Sequence, residues 1–491
     1  MDVWIKIGKN SLIYGIGAII PQATGFLLLP VYTRYLTPSD YGILAMLALI
    51  ATPLTMLLGL RLNTAVMRFL FDYEGEERKV YLGTIFLFLL VYSLPICLSL
   101  IFLGQPLFEK LFKSGDIPFY PLIVWQIIIL YLSLAWFSLS PIFKAEGKAR
   151  QWLTLSLVSF VLQTALILYF IIVQKEGVVG LVKGMLIANA IMFLVSTIVL
   201  SKRISFKLSW HKLKESLIFC TPLLPSALSL YILGFTDRWF LERYWSLAEV
   251  GLFSIALHFG HLLGLIYAAS GDAWMPVFYG TANKDERQAK GLLVRAVTLW
   301  AVGGGFIALV LAFFSREVLL VMTTPEFHPA YVIVPILVFN GLIMGIRFYP
   351  RYGLLFAKKT KAILMITSAA AGVNVLANFI LVPRYGMFGA AYATLIANVV
   401  AALITYLVVQ RYYPLKFEYA KLAKVLGMVL VLLVLVNFLS REILYFDIPL
   451  KIAALVIYSI GILYLGIIDK NQLVKLKDNF NLKALLRLWK E

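Results

Sequence analysis

The chain has 491 residues, of which 61% are hydrophobic and 14% charged, and its mean hydropathy is +0.89. That composition excludes a soluble globular domain and fits a polytopic helical membrane protein. The formal charge of +19 would suggest nucleic acid in a soluble protein. Here the basic residues sit in short segments between apolar runs, so a membrane topology signal is expected instead and no nucleic-acid partner.

The apolar runs predict fourteen membrane helices, at approximately 10–35, 41–71, 80–104, 117–143, 151–173, 178–200, 215–240, 248–279, 291–314, 329–356, 362–382, 386–410, 420–440 and 446–468. They are too long for barrel strands. With the N-terminus placed in the cytoplasm, the cytoplasmic segments hold 28 Lys and Arg and the external ones 9. Both termini are therefore expected in the cytoplasm, with the protein in the cytoplasmic (inner) membrane. No cleavable signal peptide is expected, since the first apolar segment is too long and has no cleavage pattern. Cys97 and Cys220 lie inside apolar segments and read as small core residues, with no disulfide or metal framework. The tail 469–491 reads as a basic amphipathic helix on the inner leaflet.

Residues 186–189 and 395–398 both read LIAN. The same offset places Arg34–Gly42 over Arg243–Gly251 and Glu77-Arg78 over Glu286-Arg287. Three sites in one register predict a duplicated unit of six spans. An even number of spans makes the halves parallel, related by an axis along the membrane normal. The expected organisation is a first lobe over 1–205, a second over 206–412, two further spans over 413–468, and the tail 469–491.

Charges in a membrane helix are costly and usually functional. Arg61 falls near the middle of the second span and Arg347 at similar depth in the tenth; neither snorkels easily to an interface. Arg68 and Arg351 lie nearer the cytoplasm, and Arg34 and Arg238 near outer ends. The first six spans contain no intramembrane acid, so Arg61 has no carboxylate in its own half. A fixed helix-carbonyl partner is one reading. The other is a water-filled cavity for an anion, since guanidinium stays charged and its planar fork matches phosphate oxygens. Asp237, Asp272, His258 and His261 lie in the seventh and eighth spans and are candidates for coupling to H+ or Na+, against a structural reading as local ion pairs or core histidines. Asn374, Asn378, Asn189 and Asn398 read as helix-packing groups. Pro21, Gly25, Pro222 and Pro225 are candidate hinges.

The stretches Asn10-Ser-Leu-Ile, Pro30-Val-Tyr-Thr-Arg34-Tyr-Leu-Thr-Pro-Ser-Asp40-Tyr-Gly42, Asn374-x3-Asn378 and Val382-Pro-x-Tyr-Gly386-x2-Gly-Ala-Ala391 resemble the polysaccharide and oligosaccharide-lipid (O-antigen-type) flippases. These belong to the multidrug/oligosaccharidyl-lipid/polysaccharide (MOP) exporter superfamily. The resemblance covers essentially the whole chain. It implies an all-α fold of two six-helix lobes plus two helices, with spans 1, 2, 7 and 8 lining a cavity. It implies as cargo an undecaprenyl-pyrophosphate-linked oligosaccharide moved from the inner to the outer leaflet. By position, pyrophosphate binding falls on Arg61, and then on Arg34, Arg68 and Arg238; spans 13 and 14 become candidates for a polyprenyl-tail groove.

The expected function is thus a flippase working by alternating access, with the lipid-linked glycan and membrane lipids as partners and a polysaccharide polymerase as a further candidate partner. No cofactor or metal is expected, and the chain has no GxxxxGK[ST] loop for ATP. A multidrug-type exporter is the alternative, disfavoured by the acid-free first half. An enzyme acting on the same lipid comes after it, because the external acids Glu109, Asp116, Glu249, Glu317, Glu326 and Asp447 form no obvious catalytic pair.

Overall fold

A computed structural model describes residues 26–113, 117–440 and 444–467, with the side chains of Ser226, Asp272, Ala273, Pro276, Leu444 and Tyr445 outside it. The candidate hinges Pro21 and Gly25 and the amphipathic tail lie outside the described residues. Every regular element among them is a helix. In chain order these are α1 (Leu29–Tyr35), α2 (Pro38–Gly59), α3 (Leu62–Phe69), α4 (Gly75–Leu103), α5 (Gln105–Leu111), α6 (Val124–Ala145), α7 (Ala149–Leu168) and α8 (Gly177–Ser201). There follow α9 (Trp210–Cys220), α10 (Leu224–Tyr244), α11 (Leu247–Ala282), α12 (Glu286–Met322), α13 (Val334–Phe348), α14 (Pro350–Phe356), α15 (Thr360–Tyr412), α16 (Tyr419–Leu439) and α17 (Leu444–Tyr464). Eleven stretches among the described residues are long and apolar enough to cross a membrane, and the bent pair around Pro222 and Pro225 makes a twelfth. The α15 stretch is itself two spans in sequence, merged across a kink at Gly386 (φ 52°).

The duplication is visible in local chemistry. Thr37 caps α2 by accepting from Asp40 N (3.2 Å), while Asp40 Oδ2 accepts from Thr37 N (2.8 Å). At the matching place, Ser246 Oγ accepts from Glu249 N (3.3 Å) before α11. Such side-chain oxygens satisfy amide groups that a helix start leaves without partners. Gly177 (φ 56°) and Gly386 (φ 52°) are also repeat mates, and both adopt the left-handed conformation that only glycine takes without strain.

The chain segregates into two compact units. The first takes residues up to His258 together with Leu319–Ile333 and Leu364–Ala397; the second takes Phe259–Val318, Val334–Ile363 and the residues from Asn398 onward. In the first, α3, α4, α6 and α9 close a core around Leu62, Tyr81, Leu139, Phe143, Leu213 and Cys220. In the second, Trp300 Nε1 donates to Leu342 O (3.1 Å), and Gly345 leaves no room between α13 and the indole for a side chain. Tyr458 OH donates to Val302 O (2.8 Å), docking α17 on α12. The same two helices share ion pairs: Lys451 with Glu317 at 2.5 Å and Arg316 with Asp447 at 3.6 Å. Two of the external acids thus have basic partners.

Candidate functional site

The second span is not the continuous helix expected over 41–71. It breaks at Leu60 (φ 46°) and Arg61 (φ 59°), consecutive non-glycine residues in the left-handed region. That backbone costs about 1–2 kcal/mol per residue, so surrounding contacts must impose it. Ser93 Oγ donates to Leu58 O (3.0 Å), and Cys220 Sγ donates to Arg61 O (3.2 Å). Gly59 lies against the Phe137 ring, where a Cβ would be crowded. The Leu58 carbonyl released by the break is thereby satisfied inside the protein, the condition for irregular backbone at membrane depth, while Arg61 O, which already accepts from Thr64 N (2.9 Å), gains Cys220 as a second donor. Cys220, expected only as core, is one of these donors.

Arg61 is exposed, and its guanidinium makes no side-chain hydrogen bond or ion pair among the described residues. The same holds for exposed Arg34 at the end of α1 and for half-buried Arg347 in α13. The other candidates differ. Arg68 pairs with Asp72 at 3.0 Å on its own helix end. Arg238 Nε donates to Ser254 Oγ (3.3 Å) and its guanidinium lies over Phe235 at 5.0 Å. Arg351 lies over Phe348 at 5.7 Å. Arg61, Arg238, Arg347 and Arg351 have the repeat mates Ser270, Leu29, Ser138 and Ile142, so none belongs to the duplicated scaffold.

Asp237, on α10, is 3% exposed. Its Oδ1 accepts from Asn374 Nδ2 (3.0 Å) and Asn378 Nδ2 (2.5 Å), and its Oδ2 accepts from Thr394 Oγ1 (2.5 Å). Asn374 and Asn378, expected as helix-packing groups, are the carboxylate's partners, and all four residues belong to the first unit. Both amide oxygens, Asn374 Oδ1 and Asn378 Oδ1, are buried without a partner. Leaving a buried acceptor unmade costs about 1–3 kcal/mol. The amide nitrogens face the carboxylate and the amide oxygens are left over; carboxylate and amide oxygens are the ligand types that a small hard cation takes. No group of three His, Cys, Asp or Glu among the described residues suits a transition metal. The repeat mates of Asp237, Asn374, Asn378 and Thr394 are Leu28, Ala165, Tyr169 and Met185. That one-sided polarity is a signal the sequence carried.

His258 lies within electrostatic reach of Arg238, and His261 is exposed in the second unit. The side chain of Asp272 lies outside the described residues. The helices on either side of Pro222 and Pro225 meet at 48°.

The profile of the family described as "Polysaccharide biosynthesis protein" matches residues 7–281. A protein of the Lsg locus of Haemophilus influenzae is 23% identical over 303 residues, 61% of this chain and 71% of that protein. Among solved structures, the lipid II flippase MurJ in an inward closed conformation superposes with a TM-score of 0.74 at 17% identity, covering 91% of this chain and 98% of that one. An inward-facing multidrug resistance transporter of the MATE family, of the MOP superfamily, gives 0.61 at 17% identity, covering 82% and 97%. The Vibrio cholerae MATE transporter VcmN in its bent form gives 0.56 at 18% identity, covering 83% and 96%. These likenesses show a shared fold, that of the MOP exporters.

Proposed function

The chain belongs to the polysaccharide biosynthesis protein family, and from that premise we propose that it is a flippase for a polyprenyl-pyrophosphate-linked oligosaccharide. It works in the cytoplasmic membrane with both termini inside. The observation that carries the reading is Arg61: a permanently charged fork, displayed at a membrane-helix break and without a carboxylate partner among the described residues. Donors at such a break favour an anionic group. Arg34 and Arg347 offer the same unpaired charge, and Arg238 and Arg351 are held by weaker contacts that a pyrophosphate oxygen can replace. The arginines lower the cost of taking the pyrophosphate out of water while the prenyl tail stays in lipid. Membership of a polysaccharide biosynthesis family supports this assignment over drug export.

The Asp237 cage is the coupling element in this reading. A sodium ion or a proton taken from outside neutralises the carboxylate and satisfies the free amide oxygens, biasing one of two conformations by its differential affinity. Sodium is favoured by the two unpartnered oxygens.

The test is headgroup translocation by the purified protein in liposomes, using a fluorescent polyprenyl-pyrophosphate glycan and an outer-leaflet quencher. Arg61→Ala should abolish movement without loss of membrane insertion, and Arg61→Lys should retain part of it, since a point charge still attracts phosphate. Unchanged movement in Arg61→Ala removes the anion site. Uptake of a soluble cation, with no glycan movement, turns the reading to a multidrug-type exporter.

A further inference from the structure

Away from the Asp237 cage and Arg61, a pocket of about 490 Å³ opens where the start of α7 meets the end of α8. Three cations line it: Arg150, Lys202 and Arg203. Arg203 is fixed, pairing with Glu146 at 2.8 Å and lying over the Phe143 ring at 4.9 Å. Arg150 and Lys202 are exposed and make no side-chain hydrogen bond or ion pair among the described residues. Gln151 and Thr154 add polar groups on the same wall, and Leu155 and Val199 continue it as an apolar surface. Leu155 and Val199 are half-buried, packed on the core of the first unit, and the span Ala149–Val173 that carries Leu155 is the least buried of the membrane-length helices among the described residues, with 11% of its most apolar window buried.

We propose that this pocket binds an anionic glycerophospholipid, its phosphate on Arg150 and Lys202 and one acyl chain along Leu155 and Val199. The arrangement answers both halves of such a molecule. Basic pockets between helix ends recognise lipid headgroups, and cations in the first and last turns of two spans lie at headgroup level. A soluble anion would use the charges but leave the apolar wall unoccupied.

The site also has a lever. Lys202 and Arg203 open the segment that joins the two repeats. Farther along, Ser205 N donates to Lys79 O (3.0 Å) and Ser209 N to Thr84 Oγ1 (3.0 Å). A lipid held at Arg150 and Lys202 therefore ties the start of α7 to the first residue of this linker, just before the α9–α10 pair.

The experiment reads lipid retention, so its outcome is independent of the flippase assignment. The purified full chain in detergent is titrated with phosphatidylglycerol and with phosphatidylcholine, and bound lipids are counted by native mass spectrometry. The wild-type chain should retain phosphatidylglycerol preferentially. The double variant Arg150→Gln/Lys202→Gln should weaken that retention about tenfold or more, given the worth of each cation near a headgroup. The charge-conserving Arg150→Lys/Lys202→Arg should keep it, which separates recognition from misfolding. The double variant Lys416→Gln/Lys424→Gln removes equal charge elsewhere and should change retention less than twofold. Equal loss in both neutralised variants, or displacement of the lipid by millimolar glycerol phosphate, would overturn the proposal in favour of general charge attraction or a soluble anion.

Discussion

Gly42 and Gly251 pack against each other in a reciprocal crossing of α2 and α11. A Cβ on Gly42 would collide with the carbonyl oxygen of Leu247, and one on Gly251 with the carbonyl oxygen of Pro38, coming within 3.1 Å of Gly42 N. Pro38 and Leu247 are themselves repeat mates. Each repeat thus offers the other the same pair of positions, the self-complementary pattern of a two-fold contact. Only a residue without a side chain lets two membrane helices approach this closely.

Gly42→Ala and Gly251→Ala should therefore behave alike. Each should destabilise this conformation by about 1–3 kcal/mol, the usual penalty of overpacking. Gly303→Ala, where an added Cβ meets no neighbour, is the neutral control. Thermal unfolding in detergent and the liposome assay measure both. If the two variants match the control, the crossing plays no part in the populated state.

Asp237→Asn removes the charge from the cage but keeps its volume. Ligand binding raises stability by mass action, by about 2.7 kcal/mol at a hundred times the dissociation constant. Sodium chloride, compared with potassium chloride, should raise the unfolding temperature of the wild-type chain and leave Asp237→Asn flat. Glycan movement by the variant should lose its response to an imposed sodium gradient. A sodium response that survives in Asp237→Asn would place the coupling ion elsewhere.

Much of this was legible in the sequence because hydrocarbon is an unforgiving solvent. Long apolar runs have one solution, and residues such as Arg61 and Asp237 announce themselves by their cost. The LIAN repeat announced the duplication. The helix break was not legible, because Leu60 and Arg61 have ordinary helical propensity and neither is Gly or Pro. Its causes, Ser93, Phe137 and Cys220, are distant in sequence. The partners of Asp237 were hidden for a related reason: an Asn or Thr in a membrane helix usually serves packing, and only three-dimensional structure shows which face meets a carboxylate. Comparing the repeats position by position would have exposed them, since their mates are Leu28, Ala165, Tyr169 and Met185.

Glu146, in the turn between α6 and α7, accepts from Arg78 (2.9 Å), Lys148 (2.7 Å) and Arg203 (2.8 Å). Burial alone would push its carboxyl up, but the Lys148 and Arg203 cations more than reverse this and hold it below the usual carboxylate range. A carboxyl depressed in the folded state contributes stability above its unfolded value and loses it as pH falls through the folded one. Glu146→Gln should therefore lower the unfolding temperature at neutral pH, by the equivalent of about 1–2 kcal/mol. The gap between variant and wild type should close below about pH 4. A gap independent of pH would mean that Glu146 acts through packing.

Lys451 and Glu317 join α17 to α12 with side chains only 5% and 16% exposed. A pair in this setting is held by mutual need, because each charge has lost most of its water and the other replaces it. Lys451→Met should strand Glu317 and cost about 3–5 kcal/mol, a loss visible as early unfolding in detergent. Lys451→Met/Glu317→Leu removes both charges and should recover most of that, since two apolar side chains suit a site buried between two helices. Recovery in the double variant assigns the pair to anchoring α17. Equal loss in single and double variants would show that the groups matter separately, Lys451 through its approach to the Phe314 ring at 5.9 Å and Glu317 through its second carboxylate oxygen, which is buried without a hydrogen-bond partner.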